Sequence, residues 1–537
     1  MNSNVAIPRN VIIYGLCVPL ALLMGYLLTT PLDFTSLAGV GLVMMLLLVP
    51  IFLKWHHFFV LVTWNASLNA FFLPGQPRMW MLLGVVSVAF SILDRVMNKE
   101  KRLQNVWWLT LPMVCLLMVI LVTAYFRGGI GLRTFGSASY GGKKYMEAIF
   151  AIVGFFALSW QKIPPHKALL YCSIFFLSGL TSAISNLAYS LKIYWLFWLF
   201  PVDVAVLQIQ ADYGVSDRSF LRLSGVAFAC MAPFCFLLLR HGVKGIFQFS
   251  EGWGLLPIRL KETFYVNQPY RILFFVSAIA VSTFGGFRSM PILFAMIFTI
   301  QFCIEKLYQT KLFYVILGVG LLGAAALVPF TSKLPLVVQR AICFLPVKVN
   351  PVVRYDAWAS TDWRLRMWSV LMEEVPHYLW LGKGYAVNPV DLYLARESQK
   401  RGFISDFETA SIAGDYHSGP LSVLIPLGVF GLIAFIWFLV AGIYAVYRNH
   451  RYSLPEYQKL NTFLFAFYFA QVIFYFAVFG AFSSGLYVLT GTVAFSLSLN
   501  GGVAEAVRRV TESATAPLGK KEEEIGITGA EGVGAPA

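Results

Sequence analysis

Charge is scarce in this sequence of 537 residues: Asp, Glu, Lys and Arg together make up only 12% of it. A soluble globular chain carries about 25%. With 58% hydrophobic residues and a mean hydropathy of +0.71, the shortage excludes a water-soluble domain, a disordered chain and a charged coiled coil. Cysteine is sparse and unclustered. Of the seven, Cys17, Cys115, Cys172, Cys230, Cys235 and Cys303 lie in apolar runs, and Cys343 stands by itself in a polar stretch. No CxxC pair or Cys/His cluster occurs, which argues against structural zinc and a disulfide framework. A phosphate-binding P-loop, a Ser-His-Asp order and an internal repeat are also missing, so ATP-driven work by this chain is not expected.

What the sequence has in quantity is apolar and aromatic side chains, with 47 Phe, 25 Tyr and 14 Trp. Crossing a bilayer as helix takes about 20 apolar residues. Runs near that length fall at 11–30, 35–53, 57–74, 79–94, 106–126, 145–160, 167–187, 223–241, 271–288, 289–306, 312–330, 419–446, 459–479 and 482–500. No small-residue cleavage site follows the first run, which therefore reads as a retained helix. The expected fold is an all-α polytopic membrane protein with about 12–14 transmembrane helices and one large outer loop between late helices. Residues 1–330 form a bundle of about eleven spans, 331–418 the loop with amphipathic helices, 419–500 the last spans, and 501–537 a disordered tail.

Lys and Arg outnumber Asp and Glu by 41 to 26, an excess that in a soluble chain suggests nucleic acid. In a membrane protein it sets orientation. Arg95, Lys99, Lys101 and Arg102, then Lys162 and Lys167, then Arg240, Lys244, Arg259, Lys261 and Arg271, then Arg448 and Arg451 all fall on one face when crossings are counted. The positive-inside rule makes that face, and with it both termini, cytoplasmic. Residues 127–144, 188–222 and 331–416 are left on the outer face. Within the last, TDWRLRMWSVLMEEVPHYLW reads as an amphipathic helix closed by a turn at Gly382 and Gly384.

Few outer-face residues carry chemistry. Arg288 stands between two apolar runs, where it is either an arginine snorkelling to headgroups or an anion clamp beside Gly285 and Gly286. Arg364 and Arg366 have guanidinium forks suited to phosphate, although a solvated face or pairing with Asp362, Glu373 or Glu374 explains them equally. His417 opens an apolar run, as a cap or as a general base at neutral pH. Arg127, Arg133, Lys143 and Lys144 in the Gly-rich loop suit either an anion cradle or a plain connector.

In combination these segments resemble the O-antigen ligase and O-antigen polymerase superfamily of bacterial inner-membrane glycosyltransferases. FGGFRS around Arg288 resembles that family's helix-end arginine motif. WRLRMWSVLMEEVPHYLWLGKGY resembles its outer-loop pattern of Arg, Trp four residues on, Pro and a Gly-x-Gly turn. HSGPLSVLIPLGVFGL resembles its His-led helix start, and RLSG from Arg222 to Gly225 a weaker feature. The likeness covers roughly 220–445. Ser418 stands where the family often has Asn, and the apolar runs exceed the usual twelve or so by about two.

The resemblance implies a periplasmic site that moves a glycan from an undecaprenyl-pyrophosphate-type lipid to an acceptor hydroxyl. It implies Arg288 and Arg364, with Arg366 as a neighbour, as pyrophosphate ligands and His417 as base. Arg222, Arg133 and Lys143 are further substrate-binding candidates. Neither a metal nor another cofactor is implied, and the expected partners are the lipid-linked donor, a glycan or lipid acceptor and membrane lipids. A transporter or flippase for lipid-linked glycans is the competing expectation. It fits the number of spans but neither the missing repeat nor the placement of ionisable residues at the outer boundary.

Overall fold

The computed structural model describes residues 34–73, 75–98, 103–131, 141–201, 223–247 and 268–505, with short pieces between 18 and 26. It is about 80% helical and has no strand among those residues. An isolated antiparallel bridge joins Asn69 and Arg78. The helices are α1 (Phe34–Trp64), α2 (Met79–Met97), α3 (Trp107–Arg127), α4 (Gly142–Ser159), α5 (Pro165–Ser190, with 3-10 turns) and α6 (Ser224–Phe247). They continue as α7 (Gln268–Ser282), α8 (Ser289–Ile304), α9 (Lys311–Leu327), α10 (Leu336–Ile342), α11 (Pro351–Tyr378), α12 (Pro389–Lys400), α13 (Asp406–Ile412), α14 (Gly419–Tyr452), α15 (Gln458–Ala477) and α16 (Phe482–Asn500).

Eight of the described helices are long and apolar enough to cross a membrane, and three shorter apolar ones lie at Leu48–Trp64, Tyr270–Gly285 and Ser289–Ile304. The chain is thus an all-α, multi-pass membrane protein. The fourteen runs do not map one to one onto these helices. Runs 35–53 and 57–74 share the single helix α1, because nothing at Lys54, His56 or His57 breaks it. The chain leaves helix only at Asn65. Run 145–160 is α4, whose first turns carry Lys143, Lys144 and Glu147. Most of the first run and the tail from 506 onward lie outside the described residues.

The core is aromatic. Trp64, Tyr145, Phe155, Phe234, Phe435, Phe438, Phe463 and Phe495 are among the largest fully buried side chains. The outward side of α14 shows the opposite pattern: Phe430, Ile433, Trp437, Val440 and Tyr444 are exposed at spacings of three and four, a stripe suited to lipid.

Successive helices alternate in direction, so the C-terminal ends of α1, α3, α5, α7 and α15 meet the N-terminal ends of α2, α4, α6, α8, α14 and α16. The segment from α10 to α13 covers this end. Its seat is a break in α14 at Gly428 (φ +69°, ψ −171°), two residues after Pro426. The break frees backbone groups that the Gly382–Gly384 turn then satisfies. Lys383 N–H donates to Ile425 O (2.7 Å), Gly384 N–H donates to Pro426 O (3.0 Å), and Val429 N–H donates to Leu379 O (2.6 Å). A Cβ on Gly382 would stand 2.2 Å from Pro426 O, so the turn admits only glycine there. The amphipathic helix read at 361–380 is the C-terminal part of α11. Its Met367 and Leu371 bury against Leu421 and Ile425 at the start of α14.

Candidate functional site

A cavity of about 1480 Å³ opens at the covered end. It runs beside α16 from Ala481 to Thr492, roughly 16 Å at 1.5 Å per residue. Its deep part is apolar, with Phe175, Phe176, Leu293, Phe467 and Leu489; Lys143, Glu147, Arg78, Arg364 and His417 are its charged and histidine lining. Glu147 is the one carboxylate among those lining residues, set against three fixed cations.

Helix N-termini add to the positive field. Gly141 and Gly142 of α4, Ser224 and Gly225 of α6, Ser289 and Met290 of α8, His417 just before α14, and Gly480 and Ala481 at the start of α16 all line the cavity. At α4, α8, α14 and α16 no N-cap side chain hydrogen-bonds the first turn. The positive ends of several helix dipoles therefore border one volume, the arrangement that favours an anion.

His417 sits in a left-handed backbone conformation (φ +50°), unusual for a residue with a Cβ. Its ring is held edge-on to Trp363 (centroids 5.3 Å apart) and tilted against Phe479 (5.5 Å). Arg364 lies over the same Phe479 ring at 5.9 Å. Among the described residues neither ring nitrogen of His417 has a hydrogen-bond partner. Burial, and then the Arg364 guanidinium, hold its pKa below the ordinary histidine value; Asp415 opposes this and Lys144 adds to it. The imidazole is accordingly neutral at neutral pH, the form that accepts a proton.

Arg364 is half-buried and its pKa is lowered by burial first, then by Arg288 and Arg340. The three guanidiniums are therefore neighbours. Arg288 donates from both terminal nitrogens to Thr361 Oγ1 (3.3 Å each). Neither Arg288 nor Arg364 has a carboxylate partner among the described residues. Arg340 does: it pairs with Asp356 and donates to Gly286 O (2.7 Å), pinning the turn that precedes Arg288. Arg288 is flanked by the lining residues Phe287 and Ser289 without itself lining the cavity.

Arg366 is not brought to this group. Two residues from Arg364 on a helix means roughly 200° around the axis, and Arg366 is exposed and paired with Asp362 at 2.7 Å. Lys143 lines the cavity, while its neighbour Lys144 turns away to the α13–α14 connection. Arg127 is spent on Gly382 O (2.8 Å). Arg133 and Arg222 lie outside the described residues. Sequence reasoning missed Arg340, because nothing in its spacing couples it to a glycine 54 positions earlier. Phe479 was also missed, although an aromatic-glycine pair between two apolar runs was a visible signal. No set of three or more His, Cys, Asp or Glu side chains that could hold a metal is found among the described residues. Comparison with family models, curated proteins and solved structures finds no match for this chain.

Proposed function

We propose that the protein is a membrane glycosyltransferase that moves a glycan from a lipid pyrophosphate to an acceptor hydroxyl, in the manner of O-antigen ligases or polysaccharide polymerases. The observation that carries this reading is the pairing of two guanidiniums without carboxylate partners among the described residues with a neutral histidine, unbonded among the same residues, beside a cavity lined by helix N-termini. The apolar depth suits a lipid chain and the cationic mouth suits its pyrophosphate.

In the reaction, an acceptor oxygen forms a bond to the anomeric carbon as the bond from that carbon to the pyrophosphate oxygen breaks. The electron pair leaves on the phosphate, where Arg364, Arg288 and the backbone N–H groups stabilise it. His417 takes the hydroxyl proton, and a glycoside and a lipid pyrophosphate result. The bond to the donor supplies the driving force. The described helix ends and turns at the opposite end carry Arg95, Lys162, Lys167, Lys244, Lys311, Arg448 and Arg451. By the positive-inside rule this supports a periplasmic cavity and cytoplasmic termini in a bacterial inner membrane.

The test is purified protein with lipid-pyrophosphate-linked repeat units, with and without a second hydroxyl acceptor. Chain growth without added acceptor identifies a polymerase, and transfer only on its addition a ligase. The depth of the cavity also favours a transporter for lipid-linked glycans. Movement of the donor across vesicles with no transfer in either condition would replace the enzyme by that reading.

A further inference from the structure

Lys144 is not part of the cavity wall, yet it makes three bonds to the segment that delivers His417. Its ammonium donates to Ala413 O (2.8 Å), Gly414 O (2.8 Å) and Asp415 Oδ1 (2.9 Å). The first two are carbonyls just past the end of α13, so the lysine acts as a C-terminal cap reaching across from α4. The segment needs one. Gly414 is left-handed (φ +73°) and so, three residues on, is His417 (φ +50°). A second donor grips the chain between them, Trp368 Nε1–H to Tyr416 O (3.0 Å).

We infer that Lys144 is a positioning residue for His417: with Asp415 and Trp368 it holds the α13–α14 connection in the left-handed geometry that aims the imidazole at the cavity. The inference rests on His417 being the base of the proposed transfer. It assigns different tasks to adjacent lysines, because Lys143 lines the cavity and Lys144 does not. The charged groups around His417 are Arg364 from α11, Lys144 from α4 and Asp415 from its own segment; the α15–α16 turn contributes only the Phe479 ring.

Two variants break the same ion pair with opposite electrostatic signs. Lys144→Met removes a cation near the ring, so His417 should titrate at higher pH. Asp415→Asn removes an anion, so it should titrate at lower pH. Titration is read from the pH dependence of diethylpyrocarbonate modification of His417 by peptide mass spectrometry, which needs no transfer activity. In the transfer assay Lys144→Met should lose about ten- to a hundredfold in kcat with donor KM unchanged. Lys144→Arg should recover most of the loss, and Lys143→Met should instead raise donor KM.

No shift in either variant would overturn the inference, as would a KM effect for Lys144→Met like that of Lys143→Met. Opposite shifts in a protein that transfers nothing would sink the glycosyltransferase reading and leave the clamp standing. Transfer by wild type without those shifts would do the reverse.

Discussion

The two ends of the helix bundle treat polar groups differently. At the end away from the cavity His56, His57 and the core asparagines are bonded to neighbouring groups. His56 is bonded through both ring nitrogens, to Ser87 Oγ (2.8 Å) and Gln161 Nε2 (2.8 Å). His57 Nε2 donates to Leu158 O (3.1 Å), and Asn461 and Asn500 exchange side-chain amide bonds at 2.8 and 2.9 Å. Glu305 accepts from the Val243 and Lys244 amides at 3.0 Å each, repairing the break at Gly242. At the cavity end His417 has no described hydrogen-bond partner, and Arg288 and Arg364 have no described carboxylate. A membrane protein tolerates such unfilled groups where they face a cavity rather than lipid. His56 and His57 are thus parts of the core, whereas His417 borders a cavity.

The largest effect expected from breaking this contrast is at His417. His417→Ala should insert and melt like wild type yet lose transfer by about a hundred- to ten-thousandfold, the range of general-base catalysis. Turnover of lipid-linked donor by the purified variant checks it, and a rate above a tenth of wild type would contradict the role. In the unaltered protein, acidification should abolish transfer only below the ordinary histidine pKa of 6.5, because burial and Arg364 lower the pKa and the neutral ring is the working form.

A substitution in a bonded pair at the far end should do the opposite. Asn449 is fully buried, donates to Ser496 Oγ (3.0 Å) and accepts from the Ala504 amide (2.7 Å). Asn449→Leu strands those partners, so stability should fall by about 1–3 kcal/mol while transfer per folded molecule stays unchanged. Thermal unfolding in detergent beside the transfer assay separates the two. Reduced turnover at full stability would mean that the ends are coupled.

The helices were legible because apolar run length is a strong signal, and the outer-loop helix because TDWRLRMWSVLMEEVPHYLW carries its period on the surface. The count of spans was less so. Hydropathy divides α1 at Lys54 and His56–His57, whereas the chain buries both histidines by bonding them to α2, α4, α5's preceding turn and α16. Arg288 and His417 could be picked out as candidates because each stands at the end of an apolar run, and Arg364 through its place in the WRLRMW pattern. Arg366 was named with Arg364 for adjacency in sequence, and helical geometry separates them. Lys144 and Arg340 act through backbone carbonyls of distant segments, and such partners leave no mark in spacing.

That separation allows the most direct test of the proposed anion site. A polyprenyl pyrophosphate is titrated into the protein in nanodiscs of uncharged lipid, and its Kd is compared for wild type, Arg364→Ala and Arg366→Ala. Loss of a fork to phosphate in a half-buried site should weaken binding by about tenfold or more. Loss of the exposed Arg366–Asp362 pair should change it by less than about twofold. Equal losses for the two variants, or none for Arg364→Ala, would contradict the assignment of this end of the bundle as the pyrophosphate site.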